Sequence, residues 1–207
     1  MRLTAGFDLV GRANVCRNDL VVYTDAGHQG DRGLSSKGQT GVIVCLNGVP
    51  IHWRSNRQQA TSLSPGEAEV YALSVGVKDA RLMGWVLEES GVSVDWPLEI
   101  NTDSGCCVSF KYDTCPETKM RGCFSYREDW VREVQAADYV HVRKCSDANN
   151  LADVFTKCMG PSKFRARVLQ IRRFSGVSDF LSSFCSVREN STVMTVQKVL
   201  HRHDSTV

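Results

Sequence analysis

Ser62 to Ala72 reads SLSPGEAEVYA, a helix start that carries two carboxylates with different work to do. Ser64 is a favourable N-cap, and Pro65 stands at the first helical position, where its missing N–H costs nothing. Glu67 falls three residues after the cap and can reach back to the capping backbone. Glu69 lies two residues further. Its helical row, Glu69, Ala72, Leu73, Gly76, Ala80, Met83 and Leu87, is small or apolar throughout and is therefore a packing face. A carboxylate at the head of such a stripe needs a partner. That partner is either an arginine or lysine, as for most single buried acids, or a cation shared with other acids.

The other acids come from working outward. Upstream, Asp19 to Ala26 (DLVVYTDA) is a short β-branched run that delivers Asp25 to its end, followed by a turn-rich connector, HQGDRGLSSKG. Gln39 to Leu46 and Val49 to Arg54 flank Asn47-Gly48, which supplies the positive φ of a tight hairpin. Downstream, the helix runs from Pro65 to about Ser90. Tyr71, Val75, Leu82, Trp85 and Val86 make it apolar on more than one side, which predicts a largely covered helix, and Gly91 ends it. Pro97 to Asp103 (PLEINTD) is a strand with an aspartate at its C-terminal end, and a weak helix begins at Ser104. Lys111 to Arg121 is a polar connector. Phe124 to Ala136 reads as a helix with Trp130, Val131 and Val134 inward, and Asp138 to Arg143 as a fifth strand. Asp147 is then the expected N-cap of a short helix over 148–157, on which Asp153 sits among Leu151, Ala152, Val154 and Phe155.

The order β-β-β-α-β-α-α-β-α predicts an α/β fold. Hairpins leave the first strand as an edge until crossovers return the chain beside it, so strands four and five run parallel to strand one. The sheet is then five-stranded and mixed, in the order 3-2-1-4-5 and flanked by helices. Asp25 and Asp103 become neighbours at one edge, with Glu69 on the helix that crosses the sheet. Four acids without matching bases cannot all stay ionised unless a cation joins them. All-oxygen ligation suits Mg²⁺ or Mn²⁺. Two such ions roughly 3.5–4 Å apart would clamp the attacking and leaving oxygens of an in-line phosphoryl displacement.

Composition narrows the classes. The chain has 207 residues, 42% hydrophobic and 23% charged, enough for one core plus extensions. Residues 1–18 show no clear period and read as a leader or upstream remnant, 19–157 as the folded domain, and 158–207 as a basic, partly disordered extension. Phe164 to Phe174 in that extension is a candidate basic amphipathic helix, and Phe180 to Phe184 is apolar. From Gly160 onward eight Lys or Arg face three Asp or Glu, giving +5, so the +2 total leaves −3 for the first 159 residues. The nine cysteines form no CxxC pair, which removes support for zinc. No segment reads as a secretory signal or a membrane span, and reduced thiols are expected in the cytoplasm or nucleus.

The segments YTDA (Tyr23 to Ala26), TGVIVCLNGVPIHWRSNRQ (Thr40 to Gln58), LSPGEAEVYALS (Leu63 to Ser74), TDS (Thr102 to Ser104) and NLADVFTK (Asn150 to Lys157) carry a resemblance. Together, in this order across Val21 to Lys157, they are similar to the ribonuclease H domain of copia-type (LTR) retrotransposon polyproteins. The resemblance implies a ribonuclease H-like fold and a two-metal enzyme that hydrolyses the RNA strand of RNA–DNA hybrids with Mg²⁺, or Mn²⁺ in its place. It implies Asp25, Glu69, Asp103 and Asp153 as catalytic and metal-binding residues. Asp25 would bridge both ions, Glu69 and Asp103 would hold the one at the leaving oxygen, and Asp153 would help hold the one that activates water. Helix geometry selects Glu69 over Glu67, which serves as a cap. A reverse transcriptase domain is an implied partner, although no Tyr-x-Asp-Asp polymerase signature is present in this chain.

The sequence departs from the family at Ser104-Gly105, where Asn-Gln is usual, and at Met120-Arg121, where His-Ile is common. Arg143 stands at the spacing where cellular ribonucleases H carry a mobile histidine, and His141 reads as a strand side chain. Arg54, Arg57, Lys119 and Arg121 are candidate phosphate contacts, and Trp53 is expected to pack under the sheet. Two alternatives stand beside the ribonuclease. One is a catalytically weak nucleic-acid-binding remnant, against which the intact four-acid set argues. The other is a DNA-cleaving nuclease of the same fold, against which the EAE and LAD motifs argue.

Overall fold

A computed structural model of the protein describes residues 18–28, 37–109 and 122–175. Residues 1–17, most of the connector after the first strand, the connector 111–121 with Lys119 and Arg121, and the chain beyond 175, including Phe180 to Phe184, lie outside the described residues.

Five strands, β1 (Leu20–Gly27), β2 (Gln39–Leu46), β3 (Val49–Arg57), β4 (Leu98–Thr102) and β5 (Val140–Lys144), form one sheet in the order β3-β2-β1-β4-β5. The β1–β2 and β2–β3 pairs are antiparallel, and β1–β4 and β4–β5 are parallel. This is the expected mixed sheet. Asn47 and Gly48 turn the β2–β3 hairpin at φ 50° and 81°. Asp138, expected at the start of the fifth strand, instead occupies the turn before it at φ 57°.

Alternation along β1 separates two cores. Leu20, Val22 and Thr24 face the long helix α1 (Pro65–Glu89), with Val42, Val44, Leu98 and Ile100 from neighbouring strands and Val70, Leu73, Val77 and Ala80 from α1 itself. The short helix α2 (Gly105–Ser109) adds Cys107 to this layer, and α3 (Gly122–Ala136) adds Val131 and Val134. Gly76 permits a close approach, since a Cβ there would come to 2.2 Å from Thr24 Cγ2. Tyr23 faces the opposite core with Ile43, Cys45, Leu151, Val154 and Ile171, and Trp53 packs there as expected. Ile171 and Phe164 bring the C-terminal helix α4 (Pro161–Ser175) to this second face, where the sequence predicts a basic amphipathic helix.

Two readings are corrected. Leu82, Trp85 and Val86 are about half exposed, so the C-terminal half of α1 is covered on one side only. Arg81 lies over the rings of Trp85 and Tyr139, each 4.8 Å from the guanidinium carbon. The expected helix over 148–157 is two 3-10 turns, Asp147–Asn149 and Leu151–Phe155, and Asp147 does not cap it. Fully buried Asn150 interrupts that stretch: its side-chain oxygen accepts from the Ala152 N–H at 3.1 Å and its amide donates to the Thr24 carbonyl at 3.0 Å. That amide donor pins the turns to β1, which outweighs continuation of a regular helix.

Candidate metal centre

Asp25, Glu69 and Asp103 are each delivered by the element expected of them, and Asp153 by a 3-10 turn in place of the expected helix. Register Thr24↔Thr102 on parallel β1 and β4 puts Asp25 and Asp103 side by side where the two strands end. Ala26, Ala68 and Ala72 pack together where the first turns of α1 meet β1, and their small side chains let the backbones close in. Glu69, between two of them in sequence, is carried to the strand ends. Ser64 caps α1 by accepting from the Glu67 N–H at 3.2 Å. Glu67 accepts from the Leu63 N–H at 2.6 Å, one residue before the cap rather than at it. Glu67 is thus a cap residue, and Glu69 is left for other chemistry.

Carboxylate oxygens of Asp25, Glu69 and Asp103 all lie within 4.8 Å of one another. Glu69 Oε2 is buried and has no hydrogen-bond partner among the described residues, and no base among them pairs with Glu69 as the ion-pair reading requires. Burial first, then the charges of Asp25 and Asp103, push Glu69 up to about 9. Asp25 is also raised by burial, against the Thr156 hydroxyl that donates to its Oδ2 and the Lys157 ammonium 3.7 Å away. Hydrogen bonding with the Cys107 thiol outweighs burial, which acts upward, and holds the Cys106 thiol down to about 6, and its charge adds to the pressure on Glu69. Three convergent carboxylates, one of them with an unpartnered buried oxygen, fit a hard divalent cation.

Asp153 reaches the same neighbourhood but with different company. Its Oδ1 accepts from Lys157 Nζ at 2.5 Å and its Oδ2 from Arg167 at 3.1 Å, with Lys163 Nζ at 3.9 Å. The four acids therefore divide into three with little base among them and one surrounded by it. Asn150, Thr156, Lys157 and Arg167 are the residues that reading the sequence for acids passed over. Asn150, Thr156 and Lys157 lie within the quoted NLADVFTK segment, but nothing local marks Arg167.

Of the candidate phosphate contacts, Arg54 is committed elsewhere. Its guanidinium makes two bonds to buried Asp79, at 2.8 and 2.9 Å, which His52 joins at 3.2 Å. Burial raises the Asp79 carboxyl, but these bonds outweigh it and hold the group below its usual range. Asp79 is ten residues beyond Glu69, about 15 Å along α1, so Arg54 is directed away from the acid cluster. Arg57 is exposed at the end of β3, where the register Gln39↔Gly27 and Gln39↔Arg57 places it at the same end of the sheet as Asp25, two strands away. His141 is on β5, 3.2 Å from Asp138.

No family model matches the chain. Over 142 residues it is 28% identical to the retrovirus-related Pol polyprotein from transposon TNT 1-94 of Nicotiana tabacum, covering 69% of this chain and 10% of that one. Over 150 residues it is 28% identical to the transposon Ty1-JR2 Gag-Pol polyprotein of Saccharomyces cerevisiae, covering 72% of this chain and 8% of that one. The chain thus spans about a tenth of the length of these relatives. Among solved structures, LC11-RNase H1 isolated from compost gives a TM-score of 0.51 at 17% identity, covering 73% of this chain and 99% of that one. LC11-RNase H1 in complex with an RNA/DNA hybrid gives 0.50 at 19% identity, covering 67% and 94%. No helix among the described residues is long and apolar enough to cross a membrane.

Proposed function

From a ribonuclease H fold whose sequence relatives are retrotransposon polyproteins, we propose that this chain is a divalent-metal-dependent endonuclease that hydrolyses the RNA strand of RNA–DNA hybrids. The observation that carries the reading is the convergence of Asp25, Glu69 and Asp103 within 4.8 Å with an orphaned glutamate oxygen among them. Asp25, Glu69 and Asp103 would hold Mg²⁺, or Mn²⁺ in its place, and Asp153 is the fourth carboxylate of a two-ion site. Bound there, the ions supply Lewis-acid stabilisation of the oxygens that enter and leave phosphorus. The carboxylates orient that charge, and Thr156, by donating to Asp25, fixes the oxygen nearest Lys157. Exposed Arg57 is suited to a backbone phosphate at the same end of the sheet, and Lys119 and Arg121 are further candidates.

The relative solved with a hybrid supports the substrate class, and the Pol relatives support a reverse transcriptase domain as partner. A cytoplasmic or nuclear setting follows from where hybrids are made. The test is cleavage of a labelled RNA–DNA hybrid beside RNA and DNA duplexes of the same sequence, in Mg²⁺ and in Mn²⁺. Cleavage confined to the RNA strand of the hybrid and lost in Asp25→Asn is expected. Folded protein inert in both metals rejects the reading, and cleavage of the DNA duplex favours a DNA nuclease of the same fold.

A further inference from the structure

Asp25 and Asp153 share a cation supplied by a side chain. Lys157 Nζ lies 2.5 Å from Asp153 Oδ1 and 3.7 Å from Asp25 Oδ2. The other Asp153 oxygen belongs to α4 through Arg167 at 3.1 Å. The two bases are held in opposite ways. Arg167 is 11% exposed, and its fork also donates to the carbonyls of Asp147 and Ala148 and to Gln170 Oε1. Four acceptors on three segments fix a planar group in place. Lys157 is a point charge on a flexible stem, 48% exposed, and its ion pairs are to these two carboxylates.

We propose that Arg167 is a permanent positioning residue for Asp153, and that Lys157 is an exchangeable counter-ion standing where a second divalent cation between Asp25 and Asp153 would stand. This rests on reading the acid cluster as a divalent-metal site. Occupancy is then ordered. A first ion enters among Asp25, Glu69 and Asp103, which holds no base of its own beyond the edge of Lys157. For Asp25 and Asp153 to hold a second ion, Lys157 would have to leave them and swing into solvent, which its half-exposed stem allows. Arg167 stays, so that Asp153 keeps its orientation through the exchange and the C-terminal helix is part of the site.

The experiment counts Mn²⁺, used alone as the probe, on the full chain by calorimetry and by the loss of its free-ion spin resonance signal. Wild type is compared with K157M, K157Q, R167Q and D103N. Wild type is expected to take one ion tightly and a second at least about tenfold more weakly. K157M and K157Q are expected to tighten the second ion about tenfold and leave the first within about threefold. R167Q weakens the second ion alone, an effect that general loss of packing would not confine to one class. Two ions of equal affinity in wild type, or a second ion unmoved in both Lys157 variants, overturns the proposal. If D103N removes the tight ion and wild type cuts hybrid while the Lys157 variants leave the second ion unchanged, ordered exchange fails and the nuclease reading stands. Folded wild type that takes up no Mn²⁺ and leaves hybrid uncut overturns both.

Discussion

Glu69→Gln should make the metal-free protein more stable while ending its ability to hold a metal. In the folded chain the Glu69 carboxyl is raised from its ordinary 4.5 to about 9, by burial first and then by Asp25 and Asp103. Between those two pH values the native state binds one proton more than the unfolded chain, so stability is full below pH 4.5 and falls as pH rises towards 9. The slope is about 1.4 kcal/mol per pH unit, which accumulates to about 3 kcal/mol by pH 7 and under about 1 kcal/mol at pH 5. A glutamine has nothing to ionise and avoids this loss. For a chain of this length about 3 kcal/mol corresponds to a rise of roughly 6–12 °C in Tm. Asp25, also raised by burial, pulls in the same direction in both proteins, so the variant's own pH dependence is shallow rather than flat. The assay is urea unfolding in EDTA at pH 5, 6, 7 and 8, repeated with Mg²⁺. The wild type should lag the variant by a gap that widens with pH in EDTA, and Mg²⁺ should stabilise the wild type only. A variant no more stable than wild type at pH 7 without metal would refute the claim that Glu69 is buried without compensation.

Two further substitutions test how the site is positioned. Gly76→Ala places a Cβ 2.2 Å from Thr24 Cγ2, and overpacking between α1 and β1 should cost about 1–3 kcal/mol in urea unfolding. Because Thr24 precedes Asp25 and α1 carries Glu69, the same variant should bind Mn²⁺ more weakly; unchanged stability and affinity would show that the helix is not held this close. Asn150→Leu keeps the volume but removes the side-chain bonds to the Thr24 carbonyl and the Ala152 N–H, at a cost of about 1–3 kcal/mol. Amide hydrogen exchange should accelerate over 147–157 in that variant, and protection equal to wild type would count against Asn150 as the pin.

The sequence showed what is set locally and what is repeated along an element. Ser64, Pro65 and Glu67 mark a helix start because capping is decided within four residues, and that alone separated Glu67 from Glu69. Strand ends at Asp25 and Asp103 were legible because β-branched runs stop where turn residues begin, and parallel pairing followed from the crossovers. Asp153 was legible as an acid near the site, but not in its company, because Arg167 comes from a helix whose docking depends on Phe164 and Ile171 meeting the sheet. The bond of Arg54 to Asp79 was not legible for a similar reason. Asp79 is 25 residues away, and only the crossing of α1 over the sheet brings the two together. The half-covered face of α1 around Trp85 was missed because periodicity shows which residues are apolar, not how many neighbours the fold supplies.

The site has to hold apart acids that would otherwise protonate or push the strand ends open, and around Glu69 it does so with neutral amides, whereas Asp153 is met by Lys157 and Arg167. Gln58, 1% exposed, donates to the Ala68 carbonyl at 2.9 Å and to Thr40 Oγ1 at 3.3 Å, and accepts from Ser62 at 3.0 Å. It clamps the turn of α1 that carries Glu69 to β2 from one side. Asn150 clamps the turn that carries Asp153 to β1 from the other. A buried base in either place would neutralise the nearest carboxylate and compete with any arriving cation, as Lys157 does between Asp25 and Asp153. An amide with every polar group satisfied adds rigidity without charge. The acids around Glu69 therefore keep their appetite for a cation, and the stability they cost is offset by contacts that a metal ion does not have to displace.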